Sequence, residues 1–155
     1  QNKMLIESAQ ILSTSLWHRG QWTPGLYKPI HKNNPVCLWA AESWANYFWL
    51  LQHFFALASQ YSSRKGRLHK THREQSSLLA EPLQPHADIL WQEGLEFPEP
   101  SAFPNCSYYP EWEDTHAAYR QTLIEKWQSD KRTPTWTNRE APAFLHQEKE
   151  NPHAD

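Results

Sequence analysis

A chain of 155 residues, 39% of them hydrophobic, is long enough to bury the core of one domain. Nine Trp and 14% aromatic residues exclude an intrinsically disordered chain. Two Cys exclude a disulfide scaffold and favour a reducing compartment, and a net charge of −2 argues against a protein that coats nucleic acid through bulk charge alone. Function therefore has to be inferred from local features of the sequence.

The first two segments predict a helix and a long loop. Apolar residues recur at helical spacing over residues 2–16; they are Leu5, Ala9, Leu12 and Leu16. The chain begins with this helix already under way, so we expect either that the chain was trimmed or that an upstream segment precedes it. Residues 18–34 contain two Gly and two Pro, which predicts a loop, and loops of this length are often functional.

The next segment predicts one long, buried, Trp-rich helix. Asn34 is a typical N-cap and Pro35 a typical first helical residue. Residues 36–63 contain neither Gly nor Pro, and Glu42 is their only formal charge, so we expect the helix to be covered on most sides. A transmembrane span is the alternative. Polar residues, however, interrupt every run of the roughly 18 apolar residues that a span needs.

The remainder reads as shorter elements. Residues 62–75 predict a basic turn and linker, and residues 76–80 a short helix. Residues 82–111 contain six Pro and predict an extended segment anchored by Ile89, Leu90 and Trp91. A third helix is predicted over 111–128 and an irregular segment over 134–145. We therefore predict a mainly α fold, one compact domain over residues 1–145 with long irregular loops, and a frayed tail over 146–155.

Glu7 is the first candidate for chemistry. It lies on the polar face of the first predicted helix, one turn after Lys3 and close to Gln10. One interpretation is a solvated helix face with a weak ion pair between residues four apart. The other is a catalytic carboxylate held on a rigid helix at the wall of a cleft.

Glu42 is unusual because it is the lone charge of an apolar helix. Burial among Trp side chains would disfavour its ionised form unless a cation pairs with it, and such carboxylates are candidates for functional sites. Trp39 and Trp49 are expected to line this pocket, with Asn46 on the same stripe as Glu42. The alternative is that the stripe is simply the wet edge of a core helix.

Two further segments could bind anions. The loop before the second helix carries polar and aromatic residues beside a helix N-terminus, which attracts anions; these residues are Tyr27, Lys28, His31, Asn33 and Asn34. Residues 64–73 contain five Lys or Arg, and the phosphate-binding candidates there are Arg64, Lys65, Arg67, His69, Lys70 and Arg73. A surface loop and a solvated helix exit are the respective alternatives.

The sequence contains no motif for metal-dependent chemistry or for serine hydrolysis. The nine His show no HExxH spacing, and the chain has no GxSxG motif, so neither a metal site nor Ser/His/Asp hydrolysis is predicted. No cofactor is expected.

Several segments resemble a family of small, mostly uncharacterised bacteriophage proteins. They are KMLIESAQILSTSLWH at residues 3–18, GLYKPIHKNNP at 25–35 and WAAESWANYFWLLQHFFALASQYSSRKGRLH at 39–69, with a weaker match in AYRQTLIEKW and TWTNREAPAF. The chain is more remotely similar to the phage pyrimidine-dimer DNA glycosylases with abasic-site lyase activity. These are compact helical enzymes with a catalytic Glu on the first helix.

The resemblance implies a base-excision enzyme of DNA, acting in the cytoplasm of an infected bacterial cell. Aligning the first helices places Glu7 at the catalytic glutamate and puts the amine nucleophile before the first residue, so Lys3 and Lys28 are the internal amine candidates. Such an enzyme flips a damaged or modified pyrimidine, holds it between aromatic side chains and grips the phosphate backbone.

Two other classes of function stay open. The chain could be a non-catalytic phage protein that binds a nucleotide or a host factor in the Trp-lined pocket around Glu42 and Lys28. It could also be an interaction subunit whose Trp-rich helix meets a partner. The oligomeric state is not predicted.

Overall fold

The computed structural model describes residues 2–132 and 134–146, and within them the mainly α prediction is confirmed. The helices are α1 Asn2–His18, α2 Pro35–Glu42, α3 Trp44–Lys65, α4 Lys70–Ala80, α5 Gln84–Gln92 and α6 Thr115–Ser129. Short 3₁₀ turns cover Glu81–Leu83 and Ala143–His146, and no strand occurs in the described ranges. Of the predicted frayed tail, residues 147–155 lie outside the described residues.

The chain divides into two compact units, Gln1–Phe103 and Pro104–Asp155. The predicted domain over residues 1–145 therefore spans the whole first unit and most of the second. Each unit is described below by itself.

The first unit is built around α1. The four predicted apolar residues Leu5, Ala9, Leu12 and Leu16 are all buried, and α1 packs against α2, α3 and α4. The predicted helix over residues 2–16 is thus confirmed, with its end at His18. The last turns are buried on their polar side as well, since Thr14 and Ser15 lie inside the protein.

The loop over residues 19–33 is held to the helices by hydrogen bonds. Thr14 Oγ1 accepts from the Ile30 N–H at 3.1 Å, and Trp22 Nε1 donates to the Tyr27 carbonyl at 2.9 Å. From α4, Gln75 Nε2 donates to the Gly25 carbonyl at 2.9 Å. Because each bond ties the loop to itself or to a helix, the sequence-predicted loop is an ordered part of the first unit.

The prediction of one continuous helix over residues 36–63 is wrong, because the helix is broken at Ser43. Ser43 is extended (φ −147°, ψ 159°), which ends α2, and its hydroxyl accepts from the Asn46 N–H at 3.1 Å, which caps α3. The Asn34 cap is confirmed, since its side chain accepts from the Val36 N–H at 2.8 Å. A serine that caps a new helix looks in sequence like any polar residue on a helix face.

Two later elements also differ from the prediction. The short helix predicted over 76–80 is confirmed as the second half of α4, which starts earlier, at Lys70, because His69 caps it. The basic linker predicted over 62–75 is therefore reduced to residues 66–69. The segment predicted as extended over 82–111 contains α5. Pro85 does not prevent this helix because it occupies the first turn, where proline is tolerated. Its expected anchor is also wrong at two of three positions, because Ile89 and Trp91 are exposed.

The second unit contains α6, which starts after the N-cap Asp114 rather than at residue 111. The Asp114 carboxylate accepts from the Ala117 N–H at 2.9 Å. Tyr109 donates its hydroxyl hydrogen to Glu125, and Trp127 contacts Trp136 edge-on at 5.4 Å between ring centroids. These contacts fold the segments on both sides of α6 onto it.

Among the described residues, no helix combines the length and the apolar character that crossing a membrane requires.

Candidate nucleic-acid interface

The basic residues after α3 surround a cleft because the chain reverses within four residues. Gly66 adopts the left-handed conformation (φ 64°) and its N–H donates to the Ser62 carbonyl, which ends α3. His69 then caps α4. The turn exposes a concavity of about 490 Å³, here called the basic cleft, which is lined by Tyr61, Arg67, Leu68, His69, Lys70 and Arg73.

His69 organises the basic cleft. Its Nδ1 accepts from the Thr71 N–H at 3.1 Å, and its ring contacts Tyr61 edge-on at 4.7 Å between centroids. Burial, together with the positive charge of Arg67, lowers the pKa of His69. The neutral ring carries its hydrogen on Nε2, because Nδ1 is the acceptor, so Nε2 is the ring's remaining donor.

Four of the six predicted phosphate-binding residues line this cleft: Arg67, His69, Lys70 and Arg73. Arg64 and Lys65 instead lie in the last turn of α3. Arg64 Nε is buried and has no hydrogen-bond partner in the described part of the chain. Lys70 is also 3.8 Å from Glu74 in an exposed ion pair, which is weak enough to exchange for a stronger anion.

The predicted catalytic pair lies on the surface of α1. Lys3 Nζ is 3.5 Å from Glu7 Oε1, and the two side chains are 87% and 50% exposed. This is the geometry of a solvated ion pair between residues four apart, and nothing in it distinguishes such a pair from a catalytic one. Gln10 is half-buried one turn further along, where its carbonyl accepts from Thr14 Oγ1.

The Trp-lined pocket expected around Glu42 is occupied by the protein's own side chains. Trp39 and Trp49 contact each other at 5.7 Å, and Phe103 packs against them at 5.0 and 5.3 Å, all between ring centroids. Glu42 is exposed, so the expectation of a buried carboxylate is wrong. The reason is the break at Ser43, which makes Glu42 the last residue of α2 instead of an interior residue of one long helix.

Asn46 has a structural role that explains its burial. Its Nδ2 donates to the Trp39 carbonyl at 2.8 Å and to Ser101 Oγ at 2.9 Å, and its Oδ1 accepts from the Ser101 N–H at 2.9 Å. The amide therefore has partners for both donors and for its acceptor, all within the first unit.

The predicted anion-binding loop reaches the basic region through Tyr27. The Tyr27 hydroxyl lies 2.9 Å from Thr71 Oγ1, and its N–H donates to Gln75 Oε1 at 3.2 Å. This places the loop beside the first turns of α4. Lys28, His31 and Asn33 are exposed on it, while the side chain of Asn34 is engaged as the α2 cap.

Sequence reasoning missed Tyr61 and a second cleft. Tyr61 precedes the basic run by one helical turn, and an aromatic residue in that position is a signal that could have been read. The second cleft, of about 550 Å³, lies between α3 and α5; Trp44 and His86 line it with their rings 4.6 Å apart. Its members are far apart in sequence and share no motif.

Residues 2–132 and 134–146 bring together no group of three His, Cys, Asp or Glu of the kind that holds a metal ion. No protein-family model, no curated protein and no solved structure matches the chain. The resemblance to phage glycosylases therefore stays a prediction.

Proposed function

We propose that this protein binds nucleic acid by its phosphate backbone, with the basic cleft as the contact surface. The observation that carries the proposal is the convergence of Arg67, Lys70 and Arg73 on one concavity beside an aromatic ring. In the setting that the resemblance implies, the polymer is DNA in the cytoplasm of an infected bacterium.

The composition of the cleft suits a polyanion with flat groups. Three cations supply the Coulomb attraction, and the arginine forks can each make paired hydrogen bonds to a phosphate. Leu68 supplies an exposed apolar contact for a base or a sugar, whereas Tyr61 is only 9% exposed and supports the His69 ring at the wall of the cleft. Phosphate contacts position a nucleic acid without reading its sequence, so we expect binding with little sequence preference.

The test is fluorescence anisotropy with labelled single-stranded and duplex oligonucleotides of unrelated sequence. Arg67→Gln and Arg73→Gln should each weaken binding by at least about tenfold, and by the same factor for every sequence. The matched control is Lys126→Gln, which removes one exposed cation from α6 in the second unit. Equal affinity of all three variants would contradict the basic cleft as the binding surface.

A second candidate function is base excision by the Lys3–Glu7 pair. The observation that favours it is an amine and a carboxylate 3.5 Å apart on one rigid helix. The carboxylate could stabilise positive charge on the sugar as a base leaves. The amine of Lys3 could add to the aldehyde of an abasic sugar and form an imine with loss of water.

Two measurements test the excision proposal. Glu7→Gln should abolish release of a damaged pyrimidine from a duplex and leave DNA affinity unchanged. Glu113→Gln is the control because it removes an exposed carboxylate away from both α1 and the basic cleft in sequence. Borohydride should trap the wild-type chain, but not Lys3→Arg, on an abasic duplex. Base release by Glu7→Gln at the wild-type rate would overturn this candidate.

The alternative proposal, a nucleotide or host-factor site between Trp39 and Trp49, receives less support. Phe103 contacts both indole rings, so a ligand would have to displace it.

A further inference from the structure

The end of α5 carries an apolar surface that is exposed among the described residues of the chain. Ile89, Trp91 and Leu95 are 53%, 86% and 57% exposed, although they lie within seven residues of one another. No residue of α5 is buried. Clusters of large exposed apolar side chains often mark interaction sites.

A shaped cleft adjoins these side chains. It has a volume of about 400 Å³ and lies between α3 and α5, with Phe48 and Leu90 among its walls and Trp91 at its side. Phe97 closes it by stacking on Phe48 at 4.3 Å between ring centroids. This cleft and the exposed residues Ile89, Trp91 and Leu95 are here called the acidic apolar surface, for the reason that follows.

The backbone fixes the shape of this surface. Gly94 adopts the left-handed conformation (φ 68°), and its N–H donates to the Trp91 carbonyl at 3.1 Å. The Leu95 N–H then reaches back to the Leu90 carbonyl at 2.8 Å. This pair of bonds is a Schellman C-cap, which holds the residue after the glycine against the last turn of the helix. The backbone of this surface is therefore ordered before binding, which lowers one part of the entropy cost of association.

The charged residues of the segment that carries this surface have one sign, although Arg19 stacks on Trp44 in the neighbouring cleft. Residues 81–100 contain five acidic residues and no Lys or Arg, and all five are exposed: Glu81, Asp88, Glu93, Glu96 and Glu99. Glu96 lines the cleft itself. The surface therefore repels nucleic acid and fits a partner that presents an apolar side chain surrounded by cations.

The same chain presents such a partner. Leu68 is 53% exposed and lines the basic cleft together with Arg67, Lys70 and Arg73. Residues 64–73 contain five Lys or Arg and no acidic residue. We propose that a second copy of this chain is the occupant, with its basic cleft docked on the acidic apolar surface of the first copy.

Each of the two surfaces presents groups that the other surface can bind. The exposed indole of Trp91 offers its face to an arginine, and the basic cleft offers Arg67 and Arg73. Leu68 offers an aliphatic side chain to the cleft beside Leu90. The acidic and basic rims attract at long range and are screened by salt. Because the two surfaces differ, the contact is head to tail, and each copy can bind one neighbour at each surface.

The experiment is sedimentation velocity on the full chain over a concentration series, at low and at high salt, with no nucleic acid present. The wild type should form dimers and larger species at low salt and dissociate at high salt. Trp91→Ser combined with Glu96→Lys removes one surface, and Arg67→Glu impairs the other. Each variant alone should have its dissociation constant raised at least about tenfold.

Mixing the two variants tests the head-to-tail geometry. One variant keeps its basic cleft and the other keeps its acidic apolar surface, so an equimolar mixture should form a heterodimer of wild-type affinity that does not grow further. Glu113→Lys, which makes the same charge change on an exposed residue of the second unit, should associate like the wild type.

A wild type that is monomeric at every concentration overturns the proposal, as does association that neither variant weakens. In the first case the surface is left for a foreign basic partner. Failure here is distinct from failure of nucleic-acid binding, which is measured separately at concentrations below self-association.

Discussion

At the start of α4, a ring nitrogen of His69 occupies the place that a serine or aspartate oxygen takes at most helix N-caps. This bond exists only while Nδ1 is unprotonated. Because the His69 pKa is lowered in the fold, mainly by burial and further by Arg67, the unfolded chain takes up a proton first as the pH falls.

We predict that stability falls as the pH drops below the ordinary histidine pKa of about 6.5, and that His69 provides part of this fall. Asn accepts the same hydrogen bond without titrating, so His69→Asn should hold its stability more evenly over that range. Urea unfolding at a series of pH values measures the difference. If the unfolding free energy of the wild type and of His69→Asn depended on pH with the same slope, the capping role of the ring nitrogen would be contradicted.

The two cysteines differ in reactivity because they differ in burial. Cys37 is 1% exposed, and burial raises its pKa to about 11 in spite of a hydrogen bond with Thr14, whereas Cys106 is exposed. We predict that the native protein reacts rapidly with one equivalent of a thiol reagent at mildly alkaline pH, and with the second only after unfolding. Cys106→Ser should abolish the rapid phase. Two rapid equivalents in the native state would show that α2 does not bury Cys37.

At the scale of elements, the break between α2 and α3 is the feature with the clearest test, because two helix arrangements predict opposite signs. As the N-cap of α3, Ser43 should cost about 1 kcal/mol of unfolding free energy when replaced by Ala. Inside a continuous helix, the same change would instead add a few tenths of a kcal/mol, since Ala is the better helix former.

Thermal or urea unfolding of Ser43→Ala measures directly whether the unfolding free energy falls or rises. Ser59→Ala is the matched control because Ser59 is exposed in the interior of α3, where Ala should be neutral or slightly stabilising. A stabilised Ser43→Ala would restore the single long helix that the sequence pattern predicts.

The elements that sequence reasoning identified are those with local signals. α1 has a full apolar period, and the start of α2 has its cap and its proline side by side. The first half of α4 was missed because its buried side chains include Thr71 and Gln75, whose partners lie in the distant loop at Gly25 and Tyr27. No pattern confined to α4 shows that these polar residues face inward.

The candidate site was predictable for a related reason. The basic run is contiguous, so its composition pointed to Arg67, Lys70 and Arg73 before the turn at Gly66 was known. The absence of an open pocket at Glu42 was not predictable from the sequence. It results from the helix break at Ser43 and from the packing of Phe103 against Trp39 and Trp49, which lie far from Phe103 in sequence.

At the scale of the whole molecule, a small net charge conceals a strong separation of charge. Five cations lie in residues 64–73 and five acidic groups in residues 81–100, while the chain as a whole has a charge of −2. Bulk composition therefore argues against nucleic-acid binding, whereas the local distribution favours it at one surface. The same separation is what allows one copy to complement another.

If the basic cleft binds phosphates, the affinity for nucleic acid must depend steeply on salt. Between about 50 and 200 mM salt, the logarithm of the association constant for a duplex oligonucleotide should fall with the logarithm of salt at a slope of about −3, one unit for each of Arg67, Lys70 and Arg73. The double variant Arg67→Gln/Arg73→Gln should lose about two units of that slope. Binding with no salt dependence, or a slope that the double variant leaves unchanged, would show that Arg67 and Arg73 do not contact phosphates.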